Sequence, residues 1–213
     1  GLVSALIAAT VKAKVTLVEA NKMGGDCLNT GCVPSKALIK SAKVAEQMRH
    51  ADRYGITPTE PDIPFGQTIE RVMQAIRAIE PHDSVERYTG LGVDVVEGYG
   101  KVVDPWTVEI ARKDGVTQRL TTRGIVIAAG AEPFVPPIPV LEQSNYLTSD
   151  TMWDAFAQMD RVPARIAVLG GGPIGCELSQ ALARLGSSVT QVEMADRVLG
   201  REDPEVSAAA KIS

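Results

Sequence analysis

Residues 165–193 constrain the fold of this chain more than any other stretch. Arg165-Ile166-Ala167-Val168-Leu169 reads as a short apolar strand that runs straight into Gly170-Gly171-Gly172-Pro173-Ile174-Gly175, a match to G-x-G-x-x-G. A helical segment follows, Cys176 to Leu185, ended by Gly186, and a second strand, Ser188 to Val192, ends in Glu193. The first glycine precedes the acid by 23 residues. Strand, glycine turn, helix, strand and terminal acid in this order read as a dinucleotide-binding βαβ unit. Gly170, Gly172 and Gly175, with Pro173 and Ile174 between them, let a pyrophosphate approach the backbone at a helix N-terminus. Glu193 would accept hydrogen bonds from a ribose diol, and its charge favours NAD over NADP by repelling a 2′-phosphate. Arg197 lies close enough to weigh toward NADP, but it reads better as a solvated arginine.

The start of the chain echoes the second half of this unit. Gly175 precedes Glu193 by 18 residues, and Gly1 precedes Glu19 by the same 18. Val15-Thr16-Leu17-Val18-Glu19 matches Val189-Thr190-Gln191-Val192-Glu193 in register. Gly1 therefore reads as the last glycine of a first fingerprint, and Glu19 as its terminal acid. The chain opens in an apolar helical segment, Leu2 to Val11, and stops at Ser213 in another. Neither end reads as a natural terminus, so a fragment is expected.

Two of the three cysteines fall in Gly24-Gly25-Asp26-Cys27-Leu28-Asn29-Thr30-Gly31-Cys32-Val33-Pro34-Ser35-Lys36. A structural disulfide, half of a metal site or two buried small side chains are the plain alternatives. The chain is not cysteine-dense, and a zinc site needs about four ligands where Cys176 and the histidines are distant. A redox pair fits best. On a regular helix, residues five apart rise about 7.5 Å, whereas disulfide-bonded Cα atoms lie roughly 4.4–6.8 Å apart. Cys27 and Cys32 can bond only if the backbone between them tightens, and Asn29, Thr30 and Gly31 suit a turn. Pro34 suits a first helical turn, and the helix continues through Ala37. Cys32 is then expected near a helix N-terminus with Lys36 one turn on, and both lower a thiol pKa.

Gly-Gly-x-Cys-x-x-x-x-Cys-x-Pro-Ser-Lys resembles the active-site signature of the class I flavoprotein disulfide reductases, which include dihydrolipoamide dehydrogenase, glutathione reductase and mercuric reductase. The resemblance implies two Rossmann-like domains of the three-layer β/β/α type, one for FAD and one for NAD, with NADP possible. They would span residues 1–149 and 150–213, both incomplete, with the dimerisation domain absent. It implies that Cys27 meets substrate, that Cys32 lies against the flavin in charge-transfer contact, and that Lys36 sits by the flavin's reactive nitrogen. Glu19 would take the ribose of FAD and Glu193 that of the nicotinamide dinucleotide. Gly1 and Gly25 join the FAD site. Glu177 would pair with Lys36. Gly98-Tyr99-Gly100, between strands, would pass the adenine. Gly124 to Gly130 is expected as a buried strand, with Ala128, Ala129 and Gly130 at the flavin and Ala129 where the family carries threonine.

The same resemblance implies a homodimer and a histidine–glutamate base from the partner's C-terminal domain, outside this chain, so the fragment alone is expected to bind FAD poorly. Asp26 and Asn29-Thr30-Gly31 look most like mercuric-reductase-like proteins, so Hg(II) or a disulfide is the expected substrate. Glu193 leans toward dihydrolipoamide dehydrogenase, whose substrate is a dithiol. The rival of another class is a non-catalytic redox-sensing or thiol metal-binding module.

The remaining features are bland. Twenty-two basic against 26 acidic residues give a net charge of −4, which argues against nucleic acid as partner. No apolar run reaches the roughly 18 residues of a membrane span and no leader is read, so a cytoplasmic setting is expected. Short strands are expected at 93–97, 107–110 and 119–122. Helices are expected at 37–49, 151–158 and 68–88, the last interrupted by Pro81. The prolines at 133, 136, 137 and 139 mark a connector. Cys176 reads as a buried inert thiol, His82 and Glu86 as a solvated pair on one helix face, His50 as a residue without context, and Trp106 and Trp153 as packing at domain edges.

Overall fold

A computed structural model describes residues 1–212. Along the chain the elements are α1 (Leu2–Thr10), β1 (Val15–Glu19), α2 (Gly25–Asn29), α3 (Cys32–Arg49), α4 (Phe65–Ile79), α5 (Val85–Gly90), β2 (Val93–Asp104), β3 (Thr107–Arg112), β4 (Thr117–Thr121), α6 (Met152–Ala157), β5 (Arg165–Leu169), α7 (Pro173–Arg184), β6 (Ser188–Val192) and α8 (Pro204–Ile212). They gather into two compact units, each made of two stretches: Gly1–Cys32 with Ala75–Asp150, and Val33–Gln74 with Thr151–Ser213. Residues 33–74 thus cluster with the second nucleotide motif.

The first unit carries a mixed sheet in the order β1-β2-β3-β4. β2 changes partner along its length. Val93–Glu97 pairs in parallel with β1, and from Gly98 onward the strand pairs antiparallel with β3. Ala5 and Ala9 of α1, Tyr88 of α5 and Val93 are buried together, with Leu2, Leu6, Val15, Leu17 and Val95 packed around them. The spacing of Leu2, Ala5, Leu6 and Ala9 puts one face of α1 on the sheet.

Three expectations fail here. Gly98-Tyr99-Gly100 lies inside β2, not between strands. The glycines belong there because the switch of partner brings backbones together: a Cβ on Gly98 would sit 2.5 Å from the Ala111 carbonyl oxygen and 2.8 Å from Arg112 Cα. Residues 124–130 form no strand, and Val126 and Ile127 are 71% and 80% exposed. An apolar run becomes a strand only where a neighbouring edge receives its N–H and C=O groups, and no ladder partner meets this run among the described residues. His82 and Glu86 share no helix face, because the 68–88 segment breaks into α4, a 3-10 turn over Glu80–Asp83 and α5. Pro81 lacks the N–H that would continue α4, and Ser84 caps α5 by accepting from Arg87 N.

The second unit pairs β5 and β6 in parallel, with α7 between them in sequence. Pro173 starts α7 earlier than the fingerprint reading placed it, and the helix ends at Arg184. Phe65, Ile69 and Val72 line one face of α4 and are fully buried, each contributing roughly 1.5–3 kcal/mol. Phe65 meets Phe156 of α6 edge to face, with ring centroids 5.5 Å apart. Trp153 is buried beside it on α6, whereas Trp106, at the β2–β3 turn, is 61% exposed. Arg49 ties α3 down through Glu60 and the Arg184 carbonyl, 2.8 and 2.7 Å away. His50 pairs with Glu46 at 3.1 Å. No described helix is long and apolar enough to cross a membrane.

The Gly98 contact sets a test. Gly98→Ala forces a methyl against fixed backbone, an overpacking cost of about 1–3 kcal/mol. The thermal unfolding midpoint is expected to fall by several degrees. An unchanged midpoint would show that β2 and β3 are not closely apposed there.

Candidate active site and nucleotide sites

The dithiol sits at the junction of α2 and α3. α2 is a single short helix, and Thr30 N–H and Gly31 N–H both donate to the Asp26 carbonyl, at 3.0 and 2.6 Å. The second bond spans five residues and tightens the backbone, so that Cys27, inside α2, and Cys32, the first residue of α3, lie in hydrogen-bonding contact. A side chain at 31 is excluded, since its Cβ would stand 2.9 Å from the Asp26 oxygen. Upstream, Gly24 has φ +89 and a Cβ there would strike Leu28 Cδ2 at 2.3 Å. Asn29 locks this loop, its Nδ2 donating to the carbonyls of Met23 and Gly25 at 3.1 and 2.9 Å.

Both cysteines are thiols and exposed. The Cys27 thiol is pushed above its ordinary range, first by its hydrogen bond with Cys32, then by burial, with Asp83 adding repulsion. Folding therefore helps Cys27 keep its proton. Its contribution to stability is present below the ordinary thiol pKa and is lost as pH rises through the raised value.

Other predicted residues of the first unit fall as follows. Gly1 caps α1, and a Cβ on it would lie 3.5 Å from Ala128 Cβ. Ala129 is exposed in the same extended run. Gly130, at φ +73, lies beside the Asp26 carboxylate, whose Oδ2 would be 3.5 Å from a Cβ there. Gly25 starts α2. Tyr99 is 70% exposed on β2, and Gly100 leaves room for Val18 at 3.4 Å. Glu19 accepts from Asn21 N–H at 2.7 Å. The carbonyl of that same Asn21 is held by Lys113 Nζ at 3.2 Å, which also pairs with Glu97 at 2.9 Å.

In the second unit Lys36 and Glu177 form an ion pair. Gly170, Gly172 and Gly175 make the turn between β5 and α7, with Gly172 as N-cap and Pro173 and Ile174 in the first helical turn. A Cβ on Gly175 would come 2.3 Å from the Gly170 oxygen, whereas Gly170 and Gly172 face open space. Glu193 closes on this turn: Oε2 accepts from Gly171 N–H at 2.5 Å and Oε1 from Ala195 N–H at 2.8 Å. Those bonds, Ala195 first, hold its carboxyl below the ordinary carboxylate range. The open glycine backbone at a helix N-terminus and the ionised acid beside it fit a dinucleotide. In the first unit Gly1 stands at the N-terminus of α1 and Glu19 at the end of β1.

Two bland readings change. Cys176 is half-buried, with its thiol 3.4 Å from the Gly171 carbonyl and accepting from Gln191 Nε2 at 3.5 Å. Arg197 is no solvated arginine: Nη2 donates to the carbonyls of Gly200 and Glu202 at 3.1 and 2.9 Å. Sequence reasoning also missed Asn29 as the loop lock and Lys113 as the anchor behind Glu19. Asn29 was visible only as a turn former, and Lys113 lies 92 residues from its carbonyl. Among the described residues no group of three or more metal-ligating side chains occurs.

A dithiol closed at a helix junction in one unit, and in the other a strand–glycine turn–helix–strand that ends in a backbone-gripped glutamate, fit nucleotide-dependent thiol–disulfide chemistry. The sequence profile of the pyridine nucleotide-disulphide oxidoreductases matches residues 1–212, and the chain belongs to that family. It is 37% identical over 213 residues to a mercuric reductase of Streptomyces lividans, covering 98% of this chain and 43% of that protein. It is 34% identical over 216 residues to a dihydrolipoyl dehydrogenase of Bacillus subtilis, covering 97% and 44%. Among solved structures, LpdA from Mycobacterium tuberculosis superposes with a TM-score of 0.81 at 28% identity, over 98% of this chain and 46% of that one. The HOCl-induced flavoprotein disulfide reductase RclA from Escherichia coli, in its Cu(II) complex, shares the fold at 24% identity, with a TM-score of 0.77 over 100% of this chain and 44% of that one. The chain thus spans less than half the length of the relatives it matches.

The Cys27–Cys32 contact predicts a pH response. Site-resolved alkylation of Cys27 by iodoacetamide should reach half its maximal rate at a lower pH in Cys32→Ala than in the wild type, because the main cause of the raised pKa is gone. An unmoved midpoint would show that Cys32 does not hold the Cys27 proton.

Proposed function

We propose that this chain is the cofactor-binding and dithiol-bearing part of an FAD-dependent oxidoreductase that passes electrons from NAD(P)H to the Cys27–Cys32 pair and on to a soft metal ion or a disulfide. The observation that carries the reading is the closure of the α2–α3 junction at the Asp26 carbonyl, which puts two exposed thiols in contact at the start of an 18-residue helix. Cys32, the first residue of α3, is assigned to the flavin side and Cys27, inside α2, to substrate. FAD, when bound, would relay a two-electron equivalent between the nicotinamide and the dithiol. The residues that would hold it are Gly1, Glu19, Gly25 and the backbone at Ala128, Ala129 and Gly130, with Gly98-Tyr99-Gly100 toward the adenine. Lys36, steadied by Glu177, would present a cation to the flavin. Gly170, Gly172, Pro173, Ile174, Gly175 and Glu193 would hold the nicotinamide dinucleotide, and the ionised Glu193 supports NAD over NADP.

Mercuric ion is the favoured substrate class, since two adjacent thiols are soft ligands. The relatives named dihydrolipoyl dehydrogenase support a second reading, in which a dithiol reduces the Cys27–Cys32 disulfide and NAD receives the electrons. A homodimer working in a reducing, cytoplasmic setting belongs to either reading. A non-catalytic redox sensor is the rival.

Full-length protein reconstituted with FAD decides among these. NADH is expected to reduce Hg(II) in the wild type, with Cys27→Ser and Cys32→Ser each lowering turnover by at least about 10³-fold, the scale for loss of a group that acts covalently. NADH should also raise long-wavelength absorbance that Cys32→Ser abolishes without releasing FAD. Oxidation of dihydrolipoamide without Hg(II) reduction selects the second reading. Flavin bleaching with neither activity refutes both.

A further inference from the structure

We infer that Arg197 is a positioning residue for the nucleotide's adenosine ribose, holding the loop after β6 so that Leu199 grips the Gly171 peptide against Glu193. The inference rests on the reading of this turn as a nucleotide site. Gly171 is held through both of its backbone polar groups. Its N–H goes to Glu193 Oε2, and its carbonyl accepts from Leu199 N–H at 2.7 Å. A Cβ on Gly171 would stand 2.8 Å from the same Glu193 oxygen, so the carboxylate rests directly on this backbone. Leu199 reaches its carbonyl only by adopting φ +51, a left-handed conformation that a leucine keeps only where its surroundings enforce it.

Two side chains do the enforcing. Arg197 Nη2 bridges the carbonyls of Gly200 and Glu202, one and three residues beyond Leu199. Ser207 of α8, 3% exposed, donates to the Val198 carbonyl at 2.7 Å. The loop is pinned on either side of Leu199. Its N–H steadies Gly171, and Gly171 steadies the acid that would receive the ribose hydroxyls. Arginines that read a 2′-phosphate offer the guanidinium fork outward to the anion. Here Nη2 is spent on carbonyls, and Nη1 is buried without a hydrogen-bond partner among the described residues. Arg197 thus acts on the ribose through Gly171 and Glu193, and it should serve NADH and NADPH alike.

Calorimetric titration of the full chain with ADP-ribose and with its 2′-phosphorylated form tests this. Arg197→Met, which removes both charge-assisted hydrogen bonds to the loop, is expected to weaken both ligands by the same factor, roughly ten-fold or more. The ratio between the two ligands should stay at its wild-type value, and Arg197→Lys, which keeps a donor for one carbonyl, should recover part of the loss. Glu193→Gln, in contrast, should change the ratio. If Arg197→Met does not fold, Ser207→Ala releases the same loop from its other side and carries the same expectation. A loss confined to the 2′-phosphorylated ligand would make Arg197 a phosphate reader and overturn the inference, as would unchanged affinity for both. Wild-type protein that binds neither ligand would instead refute the nucleotide site on which the inference stands.

Discussion

One carbonyl organises the chemistry of this chain. The Asp26 oxygen accepts both Thr30 N–H and Gly31 N–H, and three consequences follow. The helix α2 is stopped after one turn. The next helix begins at once, with Cys32 in its first position and Lys36 one turn further on. Cys27 and Cys32, which a continuous helix would hold about 7.5 Å apart along its axis, come into contact. The tightness needs a residue without a Cβ at 31, and the loop before α2 needs Asn29 to bind the carbonyls that α2 leaves behind. A dithiol that cycles between oxidation states, as proposed for this pair, has to be held close in both, and a backbone closure does that independently of the S–S bond.

A second constraint recurs in both units. Each parallel strand pair ends in a glutamate whose carboxylate accepts from the N–H two residues further on, Glu19 from Asn21 and Glu193 from Ala195. The turn keeps the acid at the strand end, where it can face a ribose. The supports then diverge. Glu19 is backed by Lys113, which anchors the far side of the Asn21 peptide, whereas Glu193 reaches back to Gly171 of its own glycine turn. The same strand end is thus stiffened by a β-hairpin residue in one unit and by the fingerprint itself in the other.

Much of this was legible in the residues because it rests on local chemistry. The βαβ order around Gly170, the echo of V-T-x-V-E and the need to tighten the backbone between the cysteines all follow from spacing and turn preferences. What was hidden depends on distant partners. Gly98-Tyr99-Gly100 looked like a break between strands, since glycine weakens a strand. It lies within one, and at Gly98 β3 crosses so closely that only glycine fits. Residues 124–130 looked like a buried strand because their composition is apolar, yet composition cannot supply the neighbouring ladder. Arg197 looked like a surface cation, and Lys113 went unread, because their acceptors include backbone carbonyls, and a carbonyl leaves no mark in a sequence.

A basic residue a few positions after the acid at the end of a nucleotide strand is readily taken as a receptor for a 2′-phosphate. The physical criterion is where the guanidinium's donors go. A fork pointing to solvent can meet an anion with little reorganisation. A fork committed to two carbonyls must first surrender both bonds, each worth about 0.5–1.5 kcal/mol net. That cost is comparable to the gain from a new phosphate contact, so an arginine placed like Arg197 adds little preference for NADP. The acid then decides. With both Glu193 oxygens held by N–H groups and its carboxyl kept ionised, the charge at the proposed ribose site is negative, and the unphosphorylated diol is the form it would accept.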